Sequence, residues 1–526
     1  MKIFIAQLNY HTGNLDYNKS IICKALREAK ERGADLAIFS ELCISGYPPL
    51  NLLDRDDYIE KCNKTVNDIA SECHGITAII GAPEINNGKL FNSAFVLSEG
   101  KIVFVARKFL LSTYDSFDEY RYFESGNEFN VFPFKGKKIA ITIGEDLWDE
   151  QPCEKRKPYN ISPMEELAKQ KPDIVVNIAA LPFSSAAIGN QINILKNNAR
   201  KYGVPIINVN QTGSNAFLIF DGNSAVINSE GLVCKKLPAF EESTLAFDID
   251  ELTESKNTVA EEAPDRIGQI HDALITGIKD YFKKSGFQKA VLGLSGGIDS
   301  AVSLCLTVKA LGADNVRSLI MPSRYSSEHS VKDAIELSRR ISTKFDIINI
   351  ENSFNTFEKD LAPLFIGKER DVTEENIQAR VRAVLLMAVS NKFDCILINT
   401  SNKSEALVGY GTLYGDMAGG LSVIGDVYKT DVYKLAAYIN RKEELIPDSI
   451  IKKQPSAELS PNQLDSDSLP EYDLLDNILY QYIEMQKSPE EIINNVNDKE
   501  TVLRVMKLIK QSEYKRYQAP PALRIA

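Results

Sequence analysis

Apolar residues fall along the first half of the chain in short runs that break into polar stretches. Ile3–Leu8, Leu36–Ser40, Thr77–Gly81, Ser93–Leu97, Ile102–Ala106, Lys138–Ile143, Ile174–Ile178 and Pro205–Val209 read as strands. Between them, Ser20–Glu31, Pro163–Lys169 and Gln191–Lys201 carry apolar residues at helical spacing. The runs near 93–97 and 101–106 are split by Ser98-Glu-Gly-Lys101, a hairpin signal. Antiparallel pairing mixed with crossover helices predicts a layered α/β sandwich over residues 1–250. An acidic, weakly periodic stretch, 251–265, predicts a linker. Residues 266–526 then open on a helix near Arg266–Phe282. Strands follow at Lys289–Leu294, Val316–Met321, Asp346–Ile350 and Cys395–Thr400, each trailed by helical sequence, and helices near 473–486 and 498–510 close the chain. That succession predicts a doubly wound parallel sheet.

Composition narrows the class. The chain has 526 residues, of which 44% are hydrophobic and 25% charged, enough apolar material for two cores. A formal charge of −11 argues against a nucleic-acid binder acting by bulk electrostatics. No run of eighteen apolar residues suggests a membrane span, and the opening Met1-Lys-Ile-Phe-Ile-Ala-Gln-Leu8 lacks a signal-peptide pattern. Eight scattered cysteines without a C-x-x-C pair fit reduced thiols in a cytoplasmic protein. Four histidines leave little room for zinc or histidine-based triads.

The strongest chemical signal is Ala290-Val-Leu-Gly-Leu-Ser-Gly-Gly-Ile-Asp-Ser300, a strand running through paired glycines into a helix. Converging N–H groups and the helix dipole favour a phosphate there. Gly296 and Gly297 permit close backbone approach. Asp299 can hold a magnesium ion, and Ser295 and Ser300 can donate hydrogen bonds. No Gly-Lys-Ser/Thr follows, so this is not the P-loop pattern.

Ser295-Gly-Gly-Ile-Asp-Ser300 resembles the pyrophosphate loop of ATP pyrophosphatases of the adenine nucleotide alpha hydrolase-like fold. Glu374-Glu-Asn-Ile-Gln-Ala-Arg380, Asn399-Thr-Ser-Asn-Lys-Ser-Glu405, Gly411-Thr-Leu-Tyr-Gly-Asp-Met-Ala-Gly-Gly420 and Lys515-Arg-Tyr-Gln-Ala-Pro-Pro521 resemble the NAD synthetase family. The resemblance implies ATP-dependent amidation of deamido-NAD through an acyl adenylate, with ATP as substrate and Mg²⁺ as cofactor. It places Gly293, Leu294, Ser295, Gly296, Gly297, Ile298, Asp299, Ser300 and Thr400 on ATP. Asn376, Glu405 and Lys515 fall on deamido-NAD, and Asp299 and Glu405 on the metal. Asp416 and Lys429 are further contacts, and the glycines of 409–420 suggest a lid over the nucleotide. The family also implies a homo-oligomer. Two alternatives stay open at this point: another adenylating enzyme with the same loop, and an inactive nucleotide-binding homologue.

The first half resembles the nitrilase-like αββα glutaminase fused to this enzyme in its glutamine-dependent form. Ser40-Glu-Leu-Cys43 supplies the general base Glu41, Arg107-Lys108 the oxyanion-stabilising lysine, and Tyr114 the tyrosine of the glutamine pocket. The third motif of the family is Cys-Glu-Asp-x-Trp, and here it reads Gly144-Glu-Asp-Leu-Trp148. Thiolate attack is how this constellation opens an amide, and losing a nucleophile costs roughly 10⁶-fold in a serine protease. Two other pocket positions depart from the family: Leu181 replaces a serine, and Asn190 a lysine. Neither Cys43 nor Cys153 matches the strand-end position of the nucleophile. The expectation is a disarmed glutaminase half, with ammonia rather than glutamine as nitrogen source.

Overall fold

In a computed structural model the chain is described at residues 1–113, 118–148, 161–254, 259 and 265–525. It divides into two compact units, Met1–Pro264 and Asp265–Ala526.

The first unit holds two six-stranded sheets. One runs Ser243–Asp248, Lys2–Gln7, Leu36–Ile38, Thr77–Asn86, Lys89–Ser98, Lys101–Arg107, with its first three chain-order strands parallel and the outer pairings antiparallel. The other runs Val233–Lys236, Ala225–Ile227, Ile206–Asn210, Ile174–Ala179, Lys137–Ile143, Val131–Phe134, with a parallel centre. Strand alternation sorts the side chains. Ile3 and Ile5 of one sheet join Ile139, Ile141, Ile143, Val176, Ile178 and Ile207 of the other in a core between the sheets. The intervening Phe4 and Ala6 turn outward, under helices Leu15–Glu31 and Asp56–Glu72. Ala140, Val175 and Ile206 lie under helices Pro163–Ala168 and Asn190–Tyr202. The result is the αββα sandwich the sequence predicted.

Among the described residues of this unit the pattern missed six strands. Five of them, Val131–Phe134, Thr212–Asn215, Leu218–Asp221, Ala225–Ile227 and Val233–Lys236, have only three or four residues, too few for alternation to show. The sixth, Ser243–Asp248, was hidden by its Asp248 and the acidic residues after it, yet it pairs along the whole of Lys2–Gln7. The predicted linker also starts later than expected. Residues Glu251–Glu254 form a short helix whose Leu252 joins the inter-sheet core, so the first unit runs past residue 250.

The second unit is built on a five-stranded, all-parallel sheet. Its spatial order is Lys344–Ile347, Val316–Ile320, Lys289–Gly293, Cys395–Asn399, Leu421–Ser422. The predicted strand Asp346–Ile350 is displaced toward the N-terminus, because Ile350 caps the next helix, Glu351–Leu361. Strand order reverses between Lys289–Gly293 and Cys395–Asn399, and ligands of such sheets bind beyond the strand ends at that switch. The long helix Val372–Phe393 covers one face, starting from a capping box in which Asp371 accepts from Thr373 N–H and Glu374 accepts from Asp371 N–H. A helical cluster over Tyr472–Ile483, Pro489–Val496 and Lys499–Gln511 ends the unit. Among the described residues no helix is long and apolar enough to cross a membrane, and the seven described cysteines are free thiols.

Candidate active site and a closed second cluster

The glycine-rich turn leaves strand Lys289–Gly293 and opens helix Ile298–Leu311, whose N-cap is Gly297. Ser295 Oγ lies 3.1 Å from Ser300 Oγ and accepts from Gly297 N–H at 3.2 Å, while Ser300 Oγ donates to Gly297 O at 3.0 Å. These bonds hold the turn in shape. Gly296 has φ +80°, and a Cβ there would sit 2.2 Å from Ser330 O. Glycine at 296 is therefore demanded by a neighbouring helix backbone as well as by φ.

Residues 293–295 and 297–300 line a cavity of about 290 Å³. Across it stand Thr400, just past strand Cys395–Asn399, and Glu405, Asp416, Lys429 and Asp465. Lys429 is the hub. Its Nζ donates to Asp299 Oδ2 at 2.5 Å and to Glu405 Oε1 at 3.2 Å. Asn402 Nδ2 donates to the other Asp299 oxygen at 2.9 Å. Burial pushes the Glu405 carboxyl up to about 7, with Asp299 and Asp465 adding to the rise and Lys429 opposing it. Burial by itself would depress the Lys429 ammonium, but the Asp299 and Glu405 carboxylates raise it well above the ordinary lysine range. The cluster is a cation held among carboxylates in the lining of the cavity.

Asn376 and Lys515 gather elsewhere. Asn376 Oδ1 accepts from Thr412 Oγ1 at 2.7 Å, and Lys515 Nζ donates to Gly409 O and Gly411 O at 2.8 and 2.6 Å. Both therefore hold the 409–416 turn, which reaches the cavity through Tyr410, Gly415 and Asp416. Burial lowers the Lys515 pKa. The glycines there serve packing in this structure: a Cβ on Gly409 would stand 2.3 Å from Ser512 Cβ.

Asp465 and Arg382 are among the cavity residues that escaped the sequence reading. Asp465 accepts from Tyr410 OH at 3.0 Å and Tyr472 OH at 2.8 Å. It comes from a Ser-Pro-Asn-Gln-Leu-Asp stretch with no local signal. Arg382 had one: it is a cation on the same helical face as Ala379 and Leu386, where the pattern asks for an apolar residue.

In the first unit, Glu41, Lys108 and Gly144 each follow a strand of the sandwich and meet. Lys108 Nζ donates to Glu41 Oε1 and Glu119 Oε1 at 2.8 and 2.9 Å. Glu41 also accepts from Asn92 Nδ2 at 2.7 Å and from Ala180 N–H at 3.0 Å, and Glu119 from Ser112 N–H at 2.9 Å. The Lys108 and Glu41 side chains are each only 2% exposed. Burial raises the Glu41 carboxyl, against the pull of Lys108, and Lys108 stays charged because Glu119, Glu41 and Glu145 outweigh its own burial. Glu119, the second carboxylate of this knot, was not foreseen.

Gly144 starts a 3₁₀ turn with φ +54°, the left-handed region. A Cβ on it would lie 2.7 Å from Glu41 Oε2 and 3.1 Å from Lys108 Nζ. Glu41 Oε2 and Lys108 Nζ thus crowd the space that a side chain at 144 would take. Cys43 is no substitute: it is buried, its Sγ donates to Gly81 O, and burial pushes the thiol to about 12. Tyr114 and Cys153 lie outside the described residues. Leu181 exchanges backbone hydrogen bonds with the Asn210 side chain, and Asn190 begins helix Asn190–Tyr202.

A carbon–nitrogen hydrolase unit joined to a nucleotide-binding synthase unit is the class these features define. Comparison with known proteins agrees. Residues 2–257 match the carbon-nitrogen hydrolase family and residues 270–519 the NAD synthase family. The glutamine-dependent NAD(+) synthetase of Synechocystis is 41% identical over 99% of this chain and 96% of its own. That of Acinetobacter baylyi is 40% identical over 100% of this chain and 96% of its own. The structure of the Acinetobacter baumannii enzyme, in complex with ADP, superposes with a TM-score of 0.81 at 38% identity, covering 100% of this chain and 96% of that one. The chain belongs to the glutamine-dependent NAD(+) synthetase family.

Proposed function

We propose that this chain makes NAD by ATP-dependent amidation of deamido-NAD, and that it takes its nitrogen as ammonia. The observation carrying the first part is the Ser295–Ser300 turn opening onto a cavity walled by Asp299, Glu405 and Lys429. A carboxylate is a poor electrophile because its leaving group would be oxide. Attack of the nicotinate carboxylate on the α-phosphorus of ATP converts it to an acyl adenylate, whose leaving group is AMP. The turn's N–H groups and the helix N-terminus bind the phosphates, and Lys429 balances charge as diphosphate departs. Ammonia then attacks the acyl carbon, and NAD and AMP result.

Asp299 and Glu405 fit a magnesium ion. Their oxygens converge on one cationic atom, Lys429 Nζ, and magnesium in phosphoryl-transfer sites takes one or two carboxylates plus substrate phosphates. Bound there, the ion neutralises phosphate charge. Asn376 and Lys515, through the 409–416 turn, position the dinucleotide.

Support for ammonia comes from Gly144: no side chain, a left-handed backbone, and Glu41 packed into the vacant space. The Glu41–Lys108–Glu119 knot then serves as structure. As part of the same reading we carry over a cytoplasmic, homo-oligomeric protein. The direct test is to mix purified protein with deamido-NAD, MgATP and ammonium. Stoichiometric AMP, diphosphate and NAD are expected, and no AMP above the protein-free control would refute the assignment.

A further inference from the structure

Arg382 lines the nucleotide cavity and has almost no company. Its Nε donates to Met321 O at 3.0 Å, just past strand Val316–Ile320. Among the described residues that is its one hydrogen bond, and no carboxylate of theirs stands within ion-pair distance. Among the described residues the other cations lining the cavity are engaged: Lys429 with two carboxylates, Lys453 with Glu458. Charge left unpaired in such a setting is costly unless a ligand completes it.

The neighbours say which ligand. Arg382 sits one helical turn before Leu386, whose Cδ1 lies 3.4 Å from the position of a Cβ on Gly293, the residue that leads into the phosphate turn. It is tied to the end of strand Val316–Ile320 through Met321 O, whereas Asp299, Glu405 and Lys429 of the same lining are bonded to one another. We infer that Arg382 is an anion-recognition residue for the nucleotide, its guanidinium receiving the phosphate nearest the adenosine through its two terminal nitrogens. That phosphate stays in the cavity through both half-reactions, while diphosphate leaves. A planar guanidinium suits it because it binds two oxygens in a fixed plane. Burial lowers the Arg382 pKa to about 10, against the pull of Asp416 and Glu458, so the group remains a cation at neutral pH.

This inference rests on the nucleotide reading above, and one calorimetric series separates the two. Adenosine, AMP and MgATP are titrated into the full-length wild type, Arg382→Gln and Arg382→Lys. For Arg382→Gln, adenosine affinity should stay within about twofold of wild type, while AMP and MgATP affinities fall tenfold or more. Arg382→Lys should recover part of that loss. If AMP and MgATP bind Arg382→Gln as they bind wild type, the inference is wrong. It is equally wrong if adenosine weakens as much as AMP, because the residue then only shapes the pocket. Should Arg382→Gln not fold, Arg382→Lys carries the test: AMP must weaken more than adenosine. Wild type that binds no MgATP would instead sink the nucleotide reading itself.

Discussion

Each unit of this protein keeps a lysine between two carboxylates, and the two arrangements have opposite meanings. In the first, Lys108 bridges Glu41 and Glu119, and backbone or amide donors complete the carboxylates. The Lys108 and Glu41 side chains are almost wholly enclosed. In the second, Lys429 bridges Asp299 and Glu405 on the wall of a cavity of about 290 Å³. In the function proposed above, similar groups at similar distances serve as a structural knot in one place and a binding surface in the other. What separates them is space. A Cβ at 144 would collide with the first cluster, while the second lines an open cavity.

The comparison breaks most easily at Asp299. Asp299→Asn keeps the shape but removes a charge from the proposed magnesium position. Diphosphate release with saturating substrates should fall roughly 10²–10³-fold, the range for losing one electrostatic group of a preorganised site. An unchanged rate would make Asp299 as structural as Glu41. In the first unit the expected loss is one of stability. Lys108→Met leaves two buried carboxylates without their cation and should cost about 3–5 kcal/mol in urea unfolding. A shift below 1 kcal/mol would mean the knot is held by its amide and backbone donors alone.

A smaller effect sharpens the second cluster. Glu405 in the ligand-free protein titrates near 7, above its ordinary 4.5. A proton and a metal compete for the same oxygens, so magnesium affinity should weaken up to about tenfold per pH unit as pH falls from 7 to 6. The same raised carboxyl favours folding where it is protonated. That contribution is complete below about 4.5 and is lost as pH rises through about 7. Glu405→Gln should flatten both profiles, and a magnesium affinity that falls equally steeply with pH in that variant would remove Glu405 from the metal's surroundings.

Sequence showed the contiguous parts of these sites. Ser295–Ser300 is legible because strand, turn and helix start are adjacent, and Gly144 because the residues after it keep their pattern. Glu119, Asp465 and Arg382 were not legible as partners, since each meets its site only through the fold: Lys108 to Glu119 across eleven positions, Asp465 to Tyr410 across fifty-five. The two sheets of the first unit were visible where a contiguous apolar run marks the strand, even one as short as Leu36–Ile38. They vanished where a strand of three or four residues, such as Ala225–Ile227, depends on its neighbours for its geometry.

The choice of nitrogen donor distinguishes a working cluster from a closed one. Purified full-length protein with deamido-NAD and MgATP should form NAD when ammonium is supplied. With glutamine alone it should form neither NAD nor glutamate above the protein-free background. Saturable glutamate release from glutamine, matched by NAD, would contradict the account.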